Sequence, residues 1–583
     1  MNNLPQQTLT WKIGGEAGFG IMTVGLMFSK VSIREGFHIF DYVEYPSLIR
    51  GGHNVYEVRV SSNEVYCQER KVDILVALNQ ETVSLHKDEM KDDSVIIYDN
   101  EKTKISATDF APSVILLAVP IAKIIKEAGA SLVMQNNVAL GASCAVIGFS
   151  KETMLLVIKD MFLDKGEQVV KDNSIAATLG YDYVSNNYKD KFAKKLTPSK
   201  TNDQIVLTGN EAIGLAALAS DCRFYCAYPM SPSSSLLHFM AAKADECGIV
   251  VKHAEDEIAV INMGIGASYG GIRAMVGTSG GGFSLMVEGL GLAGLTETSL
   301  VIFEGQRPGP ATGLPTWTAQ ADLEFLMHAA QDEFPRIILS PGDVEEAFWL
   351  TVEAFNLADI YQTPVFILSD KYLAESHKSA APFDFTKIKI DRGKLITSGN
   401  TTDLSKYLRY QDTSDGISPR VIVGTKGTYF LTNSYEHEEN GLSTEDSSQR
   451  IKQVNKRARK LVLYENNLPA PNLYGDMDSD ITLIAWGSTK GPVISALAQN
   501  NYVIAGKTVN FLHLNHVWPL PRKAISNILS RSKKRIMIEG NSTGQMGKVL
   551  RRETGVVVDD YLLKYDGRPF YEDEIIDKVT KSL

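Results

Sequence analysis

A chain of 583 residues is too long for one hydrophobic core, and its length suggests about three or four domains. Hydrophobic residues at 44% and charged residues at 22% place it among ordinary soluble globular proteins, and a net charge of −10 argues against a nucleic-acid footprint. The longest apolar run, Val114 to Ile125, is broken by Pro120 and Lys123 and is too short to span a membrane, and Met1 to Pro5 lacks the basic and apolar regions of a secretory signal, so a cytoplasmic protein is expected.

The first expected element, opening the segment Thr8–Gly20, is a short strand that runs into a glycine turn, followed by an amphipathic helix over Ile21–Glu35. Strand-like runs recur at Val72–Leu78, Ser94–Tyr98 and Ser113–Ala118, and this βαβ alternation predicts a parallel sheet between helices. The alternation fades near Tyr188, and the polar, lysine-rich stretch Lys191–Asp203 reads as an interdomain linker. A second α/β unit starts at Gln204, with strands expected at Arg223–Ala227, Ile249–His253, Ala274–Gly277, Leu300–Glu304, Arg336–Leu339 and Thr363–Asp370. From Lys378 to about Asp480 the pattern is irregular and holds a basic helical stretch, Arg450–Lys460, for which a solvated face is the default and docking of an acidic protein the alternative. A last small α/β unit begins at Asp480–Gly487.

The glycine turn Gly15-x-x-Gly18-x-Gly20 reverses the order of a dinucleotide fingerprint, although Asp41 stands where a ribose-binding acid would. Three readings stay open: a nicotinamide site, a plain strand-to-helix turn, or an anion site on the free N–H groups of the helix, to which the loop Arg50-Gly51-Gly52-His53 could contribute. Gly277-Thr-Ser279-Gly-Gly281 matches the nucleophile elbow of α/β-hydrolases, but no spacing favours His328, His437, His513 or His516 as its base. The five cysteines contain no Cys-x-x-Cys pair; Cys222 and Cys226 would share a strand face, yet two ligands do not complete an iron–sulfur site, and no metal site is expected in this chain. His516 and Trp518 read as packing around a strand end.

Three segments suit one task. Tyr228-Pro229-Met-Ser231-Pro-Ser-Ser-Ser235 is a proline-locked hydroxyl loop. Glu255 and Asp256 read as helix N-terminal charges, whereas Glu257 opens an apolar stretch and is expected to be partly buried. Burial raises the proton affinity of a carboxylate, as needed for a carboxyl that hydrogen-bonds the aminopyrimidine of thiamine. Arg307 follows a buried strand at its C-terminal end, in a loop fixed by prolines and glycines up to Thr316, and suits a bidentate grip on a carboxylate; the alternative is a structural arginine paired with Glu304 or Asp322. Together the three segments suit a thiamine ring and an anionic 2-oxoacid.

These motifs, in this order, resemble the 2-oxoacid:ferredoxin oxidoreductases, specifically the large subunit with a γ domain fused ahead of the α part. The matching runs are Gly209–Ala212, Tyr228–Ser234, Glu255–Ala259, Gly277–Phe283 and Gln306–Thr316. The resemblance implies an α/β chain in three parts: a γ-type domain over 1–190, a linker over 191–203, a pyrimidine-binding domain over 204–375, an irregular connecting region over 376–479, and a C-terminal transketolase-C-like domain over 480–583. It implies oxidative decarboxylation of a 2-oxoacid with coenzyme A, giving acyl-CoA and CO2 and passing electrons to ferredoxin. In that reading Glu257 activates thiamine diphosphate, with Pro229 beside the cofactor. Arg307, Ser231, Thr316 and Tyr228 hold substrate; Glu438, in the loop Tyr435–Gly441, influences side-chain choice; and Gly15, Gly18, Gly20, Arg50, Gly51 and Gly52 help bind coenzyme A.

Three departures stand out: Ser231 in place of threonine, Gly281 in place of proline, and Trp317 where many relatives have arginine. The chain also lacks the Gly-Asp-Gly and asparagine signature for the diphosphate and Mg2+. A separate β subunit is therefore expected to hold these and a [4Fe–4S] cluster, in an (αβ)2 assembly. 2-Oxoglutarate or a broad substrate range is expected ahead of strict pyruvate use. The alternatives are a catalytically silent relative that binds coenzyme A or a partner, and a serine hydrolase using Ser279.

Overall fold

The structure is a computed structural model and describes residues 7–48, 51–127, 134–189, 191–197, 203–397 and 404–583. It divides into two compact units, residues 1–207 with 376–382, and residues 208–375 with 383–583. Among the described residues no helix is long and apolar enough to cross a membrane.

The first unit is built on an eight-stranded sheet. Its strands lie in the order Ile115–Ala118, Met90–Tyr98, Val72–Ala77, Thr8–Glu16, His53–Ser61, His38–Glu44, His377–Ala380 and Ile205–Thr208. The parallel sheet expected from the βαβ alternation is corrected here to a mixed one. His53–Ser61 runs antiparallel to both of its neighbours, with Val58 opposite Trp11 on one side and Asp41 on the other. The hairpin escapes a reading by alternation because nearly all of its side chains on both faces are buried. The helix Ile21–Arg34 lays Val24, Met27, Phe28 and Val31 against the sheet, where Phe28 stacks on Trp11 at 4.3 Å. The helices Gln135–Ile147 and Glu167–Asn187 complete this core. Of the expected linker, Phe192 and Leu196 are buried in the same core and Lys194 pairs with Asp73 at 2.8 Å, so residues 191–197 lie against the domain; residues 198–202 fall outside the described residues.

Asp41 does not serve a ribose. It is fully buried and accepts hydrogen bonds from Tyr56 Oη at 2.5 Å, Ser29 Oγ at 3.1 Å and the backbone N–H of His377 at 2.7 Å. Its lone pairs fasten the returning strand His377–Ala380 to the sheet, where Lys378 pairs with Phe40.

The second unit carries two sheets. One has the order His516–Trp518, Ile337–Leu339, Pro364–Asp370, Leu300–Gln306, Arg273–Thr278, Cys222–Ala227, Val250–His253 and is parallel except for His516–Trp518. The other runs Asn472–Tyr474, Lys507–Leu514, Ile481–Trp486, Lys534–Glu539, Asp560–Leu563, with Asn472–Tyr474 antiparallel. One apolar cluster, including Phe283, Phe366, Trp486, Leu512 and Met537, joins the two sheets, so the segment from 480 onward shares a core with the seven-stranded sheet.

The basic stretch lies in the helix Ser447–Asn467, and only part of it is solvated: Arg450 is exposed, and Lys452 and Arg459 are half-buried. Lys456, Arg457 and Lys460 are buried, while Ile451, Ala458 and Val462 face outward. The reason is two acids, Glu297 far back in the chain and Glu436 just before the helix. Buried Glu297 lies 2.5 Å from Lys456 and is also paired with Lys460, and Glu436 takes Arg457 at 2.8 Å. Burial opposes the charged form of Glu297, but Lys456, Lys460 and Arg409 together outweigh it and hold Glu297 well below the usual carboxylate range. Removing one member strands an opposite charge in the interior. Glu297→Gln is therefore expected to lower unfolding free energy by about 3–5 kcal/mol, read from the denaturant midpoint at unchanged m. A loss below about 1 kcal/mol would show the network to be solvated.

Candidate active site

Glu257 is the first residue of the helix Glu257–Tyr269, capped by Asp256, whose carboxylate accepts from Ala259 N at 2.7 Å. The cap fixes where the helix begins, and that start turns Glu257 inward while Glu255 stays exposed. Glu257 is 3% exposed, and its Oε1 is buried with no hydrogen-bond partner. Facing it is the start of the helix Gly280–Leu295. A Cβ at Gly282 would lie 2.4 Å from Glu257 Oε1 and 2.3 Å from Thr278 Oγ1, so only glycine leaves the carboxyl its place. An orphaned buried carboxyl beside a glycine cradle fits the pyrimidine edge of thiamine, a donor–acceptor ring that needs one acid.

Arg307 follows the strand Leu300–Gln306, and its Nη1 donates to the Ser231 carbonyl at 2.8 Å. The loop Tyr228–Pro232 and the arginine loop are thereby joined. Pro232 is held from its other side by Asn210 Nδ2, which donates to its carbonyl at 2.8 Å, and packs against Gly305, where a Cβ would come within 2.8 Å of its ring. Arg307 forms no ion pair with Glu304 or Asp322, so the purely structural reading is not realised; it is half-buried, and burial lowers its pKa while those two acids partly offset the shift. Thr316, at the end of the same loop, is 4% exposed with an unpartnered Oγ1. Tyr228 and Pro229 are exposed at the start of the other loop, with Tyr228 edge-on to His253 at 6.0 Å.

The departures sit differently. The backbone carbonyl of Ser231 does the holding, whichever hydroxyl residue stands there. Gly281 is exposed, and a Cβ there meets only the Ala311 carbonyl at 3.7 Å. Trp317 carries the Arg568 guanidinium over its ring at 3.1 Å, so a cation stands beside the loop although residue 317 is neutral. Glu438 is exposed in a segment tied to the helix Ser447–Asn467 through Glu436 and Glu439, and none of its hydrogen bonds reaches Arg307 or Glu257. Ser279 is buried with an unpartnered Oγ, and no base reaches it. His328 meets Arg552, His437 the Leu295 carbonyl, His513 the Gly487 carbonyl, and His516 Glu353.

In the first unit, Gly15 lies buried in its strand opposite Asn54, and Gly18 and Gly20 turn with φ of 93° and 67° into the helix Ile21–Arg34. A Cβ at Gly20 would come within 2.9 Å of Asn136 Nδ2, and Asn136 Oδ1 is buried without a partner. Gly51 and Gly52 both have φ of 77°; Arg50 lies outside the described residues. The sequence reading missed the next residue's role. His53 Nε2 lies 2.9 Å from His86 Nε2, His86 Nδ1 is 3.0 Å from Glu89, and Lys12 joins Glu89 to Glu57. Burial, then His86 and Lys12, push His53 down to about 4, so the ring is neutral near pH 7. A histidine just past a Gly-Gly turn was the only signal for it. The five cysteines are free thiols, and among the described residues no group of three or more His, Cys, Asp or Glu side chains is arranged to hold a metal ion.

Residues 215–456 match a family model described as "Pyruvate flavodoxin/ferredoxin oxidoreductase, thiamine diP-bdg", and residues 10–183 match "Pyruvate ferredoxin/flavodoxin oxidoreductase". The chain is 34% identical to a 2-oxoacid:ferredoxin oxidoreductase subunit alpha of Sulfolobus sp, over 98% of this chain and 96% of that one. It is 30% identical to the 2-oxoglutarate synthase subunit KorA of Methanothermobacter thermautotrophicus, over 65% of this chain and 99% of that one. A solved 2-oxoglutarate:ferredoxin oxidoreductase from Magnetococcus marinus, with 2-oxoglutarate, coenzyme A and succinyl-CoA bound, superposes with a TM-score of 0.91 at 31% identity over 99% of both chains. With an acid in a glycine cradle, an arginine joined to a proline loop and this end-to-end likeness, the chain belongs to the thiamine-dependent 2-oxoacid:ferredoxin oxidoreductases, as an alpha subunit.

Proposed function

We propose that this chain binds a 2-oxoacid, with 2-oxoglutarate or a broad range favoured over strict pyruvate use, and joins its acyl product to coenzyme A, electrons leaving to ferredoxin through a partner subunit. The observation that carries the reading is the joining of Arg307 to the Ser231 loop, which leaves the guanidinium with one short backbone contact and no carboxylate partner. A planar cation held so can take a carboxylate through its remaining donors. The unpartnered Thr316 hydroxyl is free to donate to the keto oxygen, and Tyr228 closes the outer side.

Glu257 would hold the pyrimidine of thiamine diphosphate, with Pro229 at the rim. When bound, that cofactor supplies the electron sink for decarboxylation. Glu257 holds or moves the proton at the ring edge, and the Gly280–Gly282 helix start excludes side chains from the space beside it. Ile258, Met263 and Leu285, exposed on the two helices that frame Glu257, fit a covering β subunit, which would bring the diphosphate site, Mg2+ and a [4Fe–4S] cluster, the pair doubling to (αβ)2. In the first unit, the turn at Gly15, Gly18 and Gly20, with Asn136 behind it, and the Gly51-Gly52 loop with Arg50 would serve coenzyme A, whose phosphates suit a helix N-terminus.

The test is turnover by the chain assembled with its β subunit, across a panel of 2-oxoacids with coenzyme A, followed by reduction of ferredoxin or a viologen dye. Reduction that needs both substrates, strongest with a dicarboxylic oxoacid, is expected. A cluster-loaded complex that reduces nothing with any oxoacid would defeat the reading.

A further inference from the structure

Behind Arg307 lies a group of acids that the chemistry above leaves unused. Glu304 stands in the buried strand Leu300–Gln306 with no exposed surface; no N–H or hydroxyl donor reaches its carboxyl oxygens, and the side-chain hydrogen bond that bears on it is the carboxyl–carboxyl one with Asp322. Asp322 faces it. The Asp322 backbone N–H donates to Gln306 Oε1 at 3.1 Å, and a Cβ at Gly280 would lie 2.5 Å from Asp322 Oδ2, so strand and glycine helix start both fix its place. Asp370, on the adjacent strand, also bears on Glu304, but it is occupied by Ser488 Oγ at 2.5 Å, Leu373 N at 3.0 Å and Thr318 Oγ1 at 3.3 Å. Arg307 is the cation that acts on both Glu304 and Asp322.

We propose that Glu304 and Asp322 act as a one-proton pair within the field of Arg307 and couple arrival of the substrate carboxylate to uptake of a proton. This rests on Arg307 being the carboxylate anchor. Neighbouring buried carboxyls do not both ionise readily, and their protons belong to the pair. Burial, then Asp322 and Asp370, push Glu304 well above the carboxylate range, so it stays neutral. Burial also raises Asp322, to about 6, against the opposing pull of Glu304 and Arg307. Without substrate, Asp322 is ionised at neutral pH and balances the Arg307 charge. When the oxoacid carboxylate docks, a second negative charge enters, and Asp322 takes a proton from the buffer onto its carboxylate. Below about pH 6 Asp322 is already protonated and Arg307 is free of its competitor, so KM is lowest there and rises as pH climbs.

The test uses the assembled complex with Asp322→Asn and Glu304→Gln. In the unaltered enzyme, the oxoacid KM is expected to rise by about tenfold for each pH unit above the Asp322 midpoint at most. Asp322→Asn flattens that rise and abolishes proton uptake measured by calorimetry in buffers of different ionisation enthalpy. Glu304→Gln keeps the pH profile, because the amide mimics the neutral acid. An infrared band of a protonated carboxyl in the full chain disappears in Glu304→Gln, a readout independent of turnover. An Asp322→Asn enzyme that still titrates like the parent, or a parent chain lacking the band, overturns the inference. Absence of turnover with every oxoacid instead defeats the functional reading, and the infrared arm still decides whether Glu304 holds its proton.

Discussion

Replacing Arg307 with alanine is expected to lower kcat/KM for the preferred 2-oxoacid by about 2–4 kcal/mol in transition-state free energy, roughly 30- to 900-fold. The size follows from the surroundings. Arg307 is half-buried, so the attraction it offers a carboxylate is less screened than at a surface, and it keeps only the Ser231 carbonyl as a fixed partner. Alanine removes the cation and leaves the ionised Asp322 near an incoming anion, so repulsion adds to the lost attraction. Most of the loss is expected in KM, because the carboxylate is bound before as well as during its departure. Lysine restores charge without the planar fork and is expected to recover only part of the loss. Steady-state kinetics of the assembled complex decides: an Arg307→Ala enzyme with unchanged kcat/KM would remove Arg307 from the substrate.

Much of this site was legible in the sequence because the relevant physics is local. Asp256 and the apolar run after it mark where a helix starts and which acid turns inward. The strand before Arg307, followed by Gly and Pro residues, places the arginine at a C-terminal strand end. What the sequence hid was long-range. Lys456 and Lys460 of the helix Ser447–Asn467 look solvated until Glu297, more than 150 residues away, is seen to pair with both in the interior. The hairpin His38–Glu44 and His53–Ser61 carries no clean alternation, since both of its faces are covered. The strand His377–Ala380 returns to the first sheet across more than 300 residues, and no local signal marks that crossing. Glu304 looked like a salt-bridge partner for Arg307 three residues on; its complete burial and the neighbouring Asp322 raise its proton affinity instead, which no local signal marks.

Glu257→Gln carries the other large effect. The amide keeps the shape and the hydrogen-bonding reach of the acid but cannot exchange a proton, so proton transfer at the cofactor edge is lost while the cradle survives. General acid–base contributions of this kind amount to about 10²–10⁴-fold, and kcat is expected to fall by that range with little change in the oxoacid KM, since Glu257 does not hold the substrate. Gly282→Ala approaches the same group from the other side. Its Cβ would arrive 2.4 Å from Glu257 Oε1 and 2.3 Å from Thr278 Oγ1, and two side chains in a packed interior cannot both retreat. That variant is expected to lose activity through displacement of an intact acid, with cofactor binding weakened as well, whereas Glu257→Gln still binds cofactor. Calorimetric titration of the assembled complex with thiamine diphosphate separates the two. If Glu257→Gln turns over at the parent rate, the orphaned carboxyl is a structural curiosity and the proton at the cofactor edge is handled elsewhere.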